Sequence, residues 1–419
     1  MATATSTDPG LPSSAAAATK RERRTLGVAC GAHVLHDGYT DLTWVALPIW
    51  QAEFGLSYAA VGMLRMIYSG TMASLQIPAS RFAERIGGAV VLALGTALSG
   101  LCYCLAGASD GFWWLLAALS LGGLGAATQH PIGSALVTRT FVGGRALSAF
   151  GAYNFAGDVG KVLLPASAAA LFLLMPWQPA YALLGLLGLA MAVPIFLLTP
   201  RLPPERAEPQ TAPIAGSATE VESARSSPGS SPGSSPGFRI LVAFGIADSV
   251  VRGALLVLLP FLLIAKGAAV TTAGVALTLV FLGGAVGKLA CAWVARRIGT
   301  VATIVVAQAL AAAGILAVLA LPLTPTLILL PALGIALNGV TTVIYGSVPA
   351  YVAPQRRTHA LSVFYTVTIG TAALAPPFSG LVGDLVGVPV AIVAVAVLTL
   401  TTIPLALWLG EHRPPVPAL

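Results

Sequence analysis

Apolar residues fill this chain in blocks long enough to cross a bilayer, separated by short polar breaks. At about 1.5 Å per helical residue, roughly 20 apolar positions span the hydrocarbon layer. Twelve segments meet that pattern: 26–50, 57–83, 88–108, 111–139, 144–173, 178–199, 238–265, 270–296, 299–321, 324–352, 357–386 and 388–409. Several are interrupted by Gly or Pro, which spanning helices tolerate. The long polar break, 200–237, is rich in Pro, Ser, Gly and charge and repeats SSPG three times over 226–237. Such a segment has no means of burying a core and reads as a flexible linker. The pattern predicts an all-α membrane protein with twelve transmembrane helices in two six-helix bundles, 26–199 and 238–409. A disordered tail is expected at 1–25 and a second tail at 410–419.

Composition narrows the class. The chain is 57% hydrophobic and only 9% charged, and its mean hydropathy of +0.87 excludes an ordinary soluble domain. The net charge of +7 is spread over short loops with no basic patch, so nucleic acid is not an expected partner. Seventeen of the 22 Lys and Arg residues fall in the tails, the linker and the loops on one side, and only Lys266 in the loops opposite. By the positive-inside rule both termini and the linker are cytoplasmic, in a multi-pass plasma (inner) membrane protein. The basic run KRERR at 20–24 ahead of a full-length apolar span reads as an uncleaved signal anchor. Cys30, Cys102, Cys104 and Cys291 all lie in apolar spans, spaced for packing rather than for disulfides or zinc.

The two halves repeat one another. At an offset of 212, Leu47-Pro48 aligns with Leu259-Pro260, Gly55 with Gly267, Gly62 with Gly274, and Arg85-Ile86-Gly87 with Arg297-Ile298-Gly299; at 214, Ala146-Leu147-Ser148 matches Ala360-Leu361-Ser362. Two six-helix halves of like orientation are parallel repeats about an axis along the membrane normal, with a substrate expected at their interface.

The first span carries His33, His36, Asp37 and Asp41, which helical spacing puts on one broad face. Charge at membrane depth costs about 2.5 kcal/mol or more per group on insertion scales, so such groups face a partner or a wet path. Four acids (Asp37, Asp41, Asp158, Asp248) and four bases (Arg65, Lys161, Arg252, Lys288) lie inside spans. Helical rise permits Asp41–Arg65 and Asp248–Lys288 as pairs between neighbouring helices; Asp248–Arg252 and Asp158–Lys161 are alternatives within one helix. Asp37 has no evident cation at its depth, which makes it the leading proton carrier, followed by Asp158. His33 and His130 fall at similar depth and suit a proton relay or anion site, with no third ligand evident for a metal. Gln129, Asn154, Asn338, Tyr345 and Tyr365 are candidate substrate contacts beside Arg65, Lys161 and Arg252. The runs GGLG (122–125) and GGAVG (283–287) read as close helix contacts.

The loop SRFAERIG at 80–87 resembles the motif G-x-x-x-D-R-x-G-R-R between helices 2 and 3 of the major facilitator superfamily, and AWVARRIG at 292–299 resembles a second, weaker copy. Arg85 and Gly87 match in the first copy, with Ser80 standing in for the glycine, Glu84 for the aspartate and Gly88 and Ala89 for the basic pair; Arg297 and Gly299 match in the second. The resemblance implies that this loop controls conformational state. The N-terminal half further resembles the fosmidomycin-resistance type of efflux protein, through His33-x-x-x-Asp37, LPIWQAEFGLS (47–57), His130-Pro131 with Gly133-Ser134, GGR (143–145), Ser148 and Gly157. Where that family tends to carry an uncharged Gly-Asn-Phe-Gly stretch, this chain has Gly157-Asp158-Val159-Gly160-Lys161.

Together these features predict a proton-coupled antiporter exporting a small polar, anionic compound or antibiotic by alternating access. Uptake by proton symport is the alternative. A membrane enzyme or sensor is disfavoured, since no nucleophile–base set, zinc spacing or P-loop is visible. No cofactor or metal is expected beyond the proton gradient; the partners are the substrate, protons and the lipid bilayer, and the chain is expected to be a monomer.

Overall fold

The computed structural model describes residues 14–141, 144–199, 235–353 and 357–412. Most of the expected linker, including nearly all of the SSPG repeats, and the tail residues 1–13 and 413–419 lie outside the described residues. Thirteen α-helices account for nearly everything described: α1 (Ser14–Phe54), α2 (Tyr58–Ile86), α3 (Gly88–Gly107), α4 (Phe112–Ala126), α5 (Gln129–Thr140), α6 (Gly144–Leu171), α7 (Trp177–Leu198), α8 (Pro236–Ala265), α9 (Val270–Ile298), α10 (Thr300–Ala320), α11 (Leu323–Ser347), α12 (Arg357–Val386) and α13 (Val388–Glu411); a 3₁₀ turn, Val348–Tyr351, follows α11.

Two elements depart from expectation. Residues 14–25, expected as tail, begin α1, because Ala, Lys, Arg and Glu are strong helix formers. That extension is pinned: Arg24 donates to the carbonyls of Leu197 and Leu198 (2.6 and 2.7 Å) at the C-terminus of α7, and Glu22 pairs with Arg145. A cation at a helix C-terminus is favourably placed. The segment expected at 111–139 is broken into α4 and α5 at Ala127-Thr128. Pro131 has no N–H for the carbonyl of Ala127, so the ladder restarts there.

Eight of the described helices are long and apolar enough to cross a membrane: α3, α7 and all six of α8–α13. Those that fall short are α1, α2, the broken α4–α5 pair and α6. They carry His33, Asp37, Asp41, Arg65, Gln129, His130, Asn154, Asp158 and Lys161, so what disqualifies them is the polar load or the break itself.

The halves pack alike. In the first, α1 lies on α6, α3 on α7 and on α4, and α2 on α4; in the second, α8 lies on α12, α10 on α13 and on α11, and α9 on α11. The halves meet along two matching seams, α2 against α12 and α6 against α9. At the end where α2 begins, the first seam is shut. Asp384 accepts from the N–H groups of Tyr58 and Ala59 (2.8 and 2.9 Å), capping α2 from the opposite half, and a Cβ on Gly62 would meet the Pro376 carbonyl at 2.4 Å. The glycine runs do make close contacts: a Cβ on Gly123 would lie 2.5 Å from the Tyr68 carbonyl, and one on Gly283 would lie 2.0 Å from the Pro331 carbonyl.

Candidate functional site

The polar side chains of α1 divide by direction. His36 points away to Thr96 of α3, its Nε2 3.1 Å from the hydroxyl, so it leaves the face shared by its neighbours. His33 and Asp37, one turn apart, face α5 and α6. Two glycines of α6 make the approach possible: a Cβ on Gly160 would fall 2.0 Å from the Val34 carbonyl, and one on Gly157 would fall 2.6 Å from Asp37 Oδ2 and 2.7 Å from His33 Nε2.

Asp37 is the hub. Its Oδ1 lies 3.4 Å from His33 Nε2 and 3.8 Å from His130 Nε2, and its Oδ2 lies 3.3 Å from Lys161 Nζ. Asp37 therefore has a cation beside it, contrary to the sequence reading, because the glycine crossing brings α6 close enough for Lys161, next to Gly160 and one turn past Gly157, to reach α1. Lys161 Nζ is also 3.8 Å from Asp158 Oδ1, and Lys288 Nζ of α9 donates to that same oxygen at 2.5 Å. The result is a continuous chain, His130–Asp37–Lys161–Asp158–Lys288, running from the first half into the second. Its two carboxylates and two ammonium groups cancel in charge.

The chain is accessible along one side. The side chains of His130, Lys161 and Lys288 are 43, 34 and 36% exposed although each binds a buried or half-buried acid. Asn154, Asp158 and Lys161, at i, i+4 and i+7, form one stripe of α6 along that side. Tyr365 of α12 is also exposed and packs against Tyr345 at 4.5 Å, whose hydroxyl meets Thr368 Oγ1 at 2.7 Å.

Other candidates are held elsewhere. Asp41 and Arg65 do approach, at 3.9 Å, but Arg65 also donates to the Thr40 carbonyl and Thr43 Oγ1 (both 3.1 Å) and lies over the Trp44 ring at 4.4 Å. It is buried and already engaged. The Asp248–Lys288 pairing is not formed. Arg252, one turn along the same helix, pairs with Asp248 and donates to Thr341 Oγ1 at 2.6 Å, and Gln308 donates to Asp248 at 3.1 Å, while Lys288 faces α6 of the other half. Gln129 is buried beside the Tyr153 hydroxyl (3.5 Å) with its Oε1 unpartnered, and Asn338 packs on Gly284. In the loop motif, Gly87 and Gly299 adopt φ of +97° and +87°, the left-handed region that lets single residues join α2 to α3 and α9 to α10. Glu84 and Arg85 are exposed there, Ser80 donates to the Gln76 carbonyl at 3.2 Å, and Arg297 lies over Trp293 at 5.1 Å.

Tyr153, a hydrogen-bonding candidate by sequence, stacks on His33 at 4.1 Å and accepts from its Nδ1 through the backbone carbonyl (2.8 Å). Two contributors escaped the sequence reading as site residues: Gln308 and Asp384, which fix an acid and a helix end across helix boundaries. Neither carries a local signal, since each acts through a distant helix. A third possible metal donor, Asp37, also stands beside His33 and His130, because the restart at α5 turns His130 toward α1: one donor atom from each of the three lies within 4.8 Å of the others.

Comparison with known proteins agrees with this geometry. Among curated proteins, the chain is 26% identical over 146 residues to a probable L-galactonate transporter and 28% identical over 174 residues to the fosmidomycin resistance protein, both of Escherichia coli K12. It is 23% identical over 190 residues to the multidrug resistance protein MdtL of Vibrio parahaemolyticus. These matches cover 35, 40 and 45% of this chain and 32, 41 and 48% of the relatives, so the chain aligns with less than half of each. Among solved structures, a bacterial homologue of the human lysosomal transporter Spinster, inward-facing and unoccupied, superposes with a TM-score of 0.78 at 18% identity, covering 95% of this chain and 99% of that one. The sequence profile of the Major Facilitator Superfamily matches residues 29–247 and 241–419, and the chain therefore belongs to that superfamily of multi-pass membrane transporters.

Proposed function

We propose that this chain exports a small anionic compound in exchange for protons, by rocking of its two halves about the charged chain between them. The observation that carries the reading is the run His130–Asp37–Lys161–Asp158–Lys288, which crosses from one half to the other and is open along one side. In this reading α4 and α5 together make one crossing, giving twelve, with both termini cytoplasmic in the inner membrane as the distribution of Lys and Arg requires. The end sealed by Asp384 is then the outer one, and the open end faces the cytoplasm.

The chemistry follows from Lys161, which sits between two carboxylates. A proton on Asp37 removes one of its partners and frees the ammonium for an anion; a phosphonate or carboxylate oxygen offers both Lys161 and Lys288 a charge-assisted partner. An anion that takes Lys288 from Asp158 opens the only described ion pair between the halves at that height, which ties occupancy to rocking. Galactonate and fosmidomycin, the compounds that name two relatives, are both acids, which supports an anionic substrate.

The test begins with a panel of phosphonate and carboxylate antibiotics against a strain expressing the chain. The compound tolerated best is then followed in proteoliposomes with an imposed pH gradient. Asp37→Asn is expected to abolish the gradient-driven component with the protein still folded; unchanged gradient dependence would remove Asp37 from the role. Uptake by proton symport is the second reading, since the name of the L-galactonate relative states no direction of transport. Counterflow with and without the gradient distinguishes the two directions.

A further inference from the structure

We infer that His33, Asp37 and His130 form a binding site for a divalent transition-metal ion of the zinc class, with an open fourth position on the exposed side of His130. Three features of the geometry point there. First, the donors converge. Tetrahedral zinc with bonds of about 2.0–2.2 Å holds its ligand atoms about 3.3–3.6 Å apart. His33 Nε2 and Asp37 Oδ1 already stand at 3.4 Å, His130 Nε2 and Asp37 Oδ1 at 3.8 Å, and all three donors lie within 4.8 Å. A small turn of the half-exposed His130 ring closes the set.

Second, His33 presents a lone pair with nothing to receive. Its Nδ1 lies 2.8 Å from the Tyr153 carbonyl, which can only accept, so the ring proton sits on Nδ1. In the neutral ring Nε2 is then an acceptor, in a residue only 3% exposed, without a hydrogen-bond partner, and aimed at a carboxylate oxygen. Two acceptors facing each other at 3.4 Å repel unless a proton or a metal cation lies between them. Third, the outer contacts are those that metal ligands use: the remaining ring nitrogen on a backbone carbonyl, and the second carboxylate oxygen on another group, here Lys161 at 3.3 Å.

Lys161 is the opposing charge. It has a second acid, Asp158, at 3.8 Å to which it can swing, and Gly157, lacking a Cβ, leaves the volume beside His33 and Asp37 clear.

The test uses the full-length chain in nanodiscs, with any affinity tag removed. Zn²⁺ content is measured after equilibrium dialysis, and the visible spectrum is recorded after loading with Co²⁺. The expected result is one Zn²⁺ per chain and the intense bands of four-coordinate Co²⁺. His130→Ala, at a partly exposed position, is expected to lower affinity at least about 10- to 100-fold. Lys161→Ala keeps all three donors and removes the competing cation, and is expected to tighten binding. Substoichiometric Zn²⁺ in the parent chain would overturn the site, and so would equal affinity in the His130 variant. Because the readout is metal content, failure here leaves the transport reading standing.

Discussion

The two halves share a packing plan and differ in what their buried charges do. In the first half, Asp37 is linked to His33, His130 and Lys161, and the network stays open at His130 and Lys161. In the second, Asp248 is closed upon Arg252, Gln308 and, through Arg252, Thr341, with both ionised side chains mostly buried. The repeat makes the contrast sharper. At the offset of 212, His33 corresponds to Gly245 and Asp37 to Ser249; at 214, Gly157 corresponds to Thr371 and Lys161 to Ala375. The helices were duplicated with their packing, whereas the chemistry stands in one copy. All six helices of the second half are apolar enough to span a membrane, against two in the first. One half reads as the frame and the other as the working part.

The largest effect expected from that division is on stability, in the second half. Arg252→Leu leaves Asp248 buried with only Gln308 for a partner, and loss of one member of a buried pair typically costs about 3–5 kcal/mol. Thermal unfolding in detergent should fall steeply, while transport per folded molecule should keep its dependence on the pH gradient. If the gradient dependence were lost instead, the second half would be part of the coupling machinery and the division would fail. Next in size is Gly157→Ala. The added methyl would stand 2.6 Å from Asp37 Oδ2 and 2.7 Å from His33 Nε2, and overpacking of this kind costs about 1–3 kcal/mol. Its distinguishing effect is on the site: α6 is pushed from α1, Lys161 is drawn off Asp37, and gradient-driven transport should be lost with the fold retained. The same change at Gly151, where a Cβ meets nothing within 4 Å, should leave transport unaltered.

Much of this organisation was legible in the sequence, for physical reasons that also explain what was not. The all-helical class follows from hydropathy, the single-residue joints from the repeated Arg-Ile-Gly turns, and the superfamily from the resemblance of the loop at 80–87, because a bilayer imposes helix length and a positive-φ turn imposes glycine. The i, i+4 pairs His33–Asp37 and Asp248–Arg252 lie within one helix, where spacing alone sets distance. Contacts between helices were harder. Lys288 was matched to Asp248 on depth, yet rotation of α9 about its own axis turns it toward Asp158 across the seam. Asp37 was read as lacking a cation because Lys161 is 124 positions away and its approach depends on Gly157 and Gly160. The glycines were visible as matches to the family pattern; what they packed against was not. His130 reaches the site through the restart at α5, a break that Pro131 signals but whose direction only the packing decides.

The smallest effect on stability, and the finest test of the comparison, concerns the contact that joins the halves. Asp158 and Lys288 meet at 2.5 Å with the lysine side chain about a third exposed, and ion pairs in contact with water contribute about 0–1 kcal/mol. Lys288→Gln should therefore leave the unfolding temperature nearly unchanged. Transport should respond out of proportion, because the frame contributes this one cation to the open chain: apparent affinity for an anionic substrate should fall, and a neutral substrate of the same size should be unaffected. Exchanging the charges, with Asp158→Lys and Lys288→Asp together, restores the link between the halves but moves the cation onto α6. If rocking needs only the link, the double variant recovers turnover; if the substrate needs a cation on α9, turnover returns without affinity. Equal affinity in Lys288→Gln and the parent chain would place the anion on Lys161 alone and confine the working chemistry to the first half.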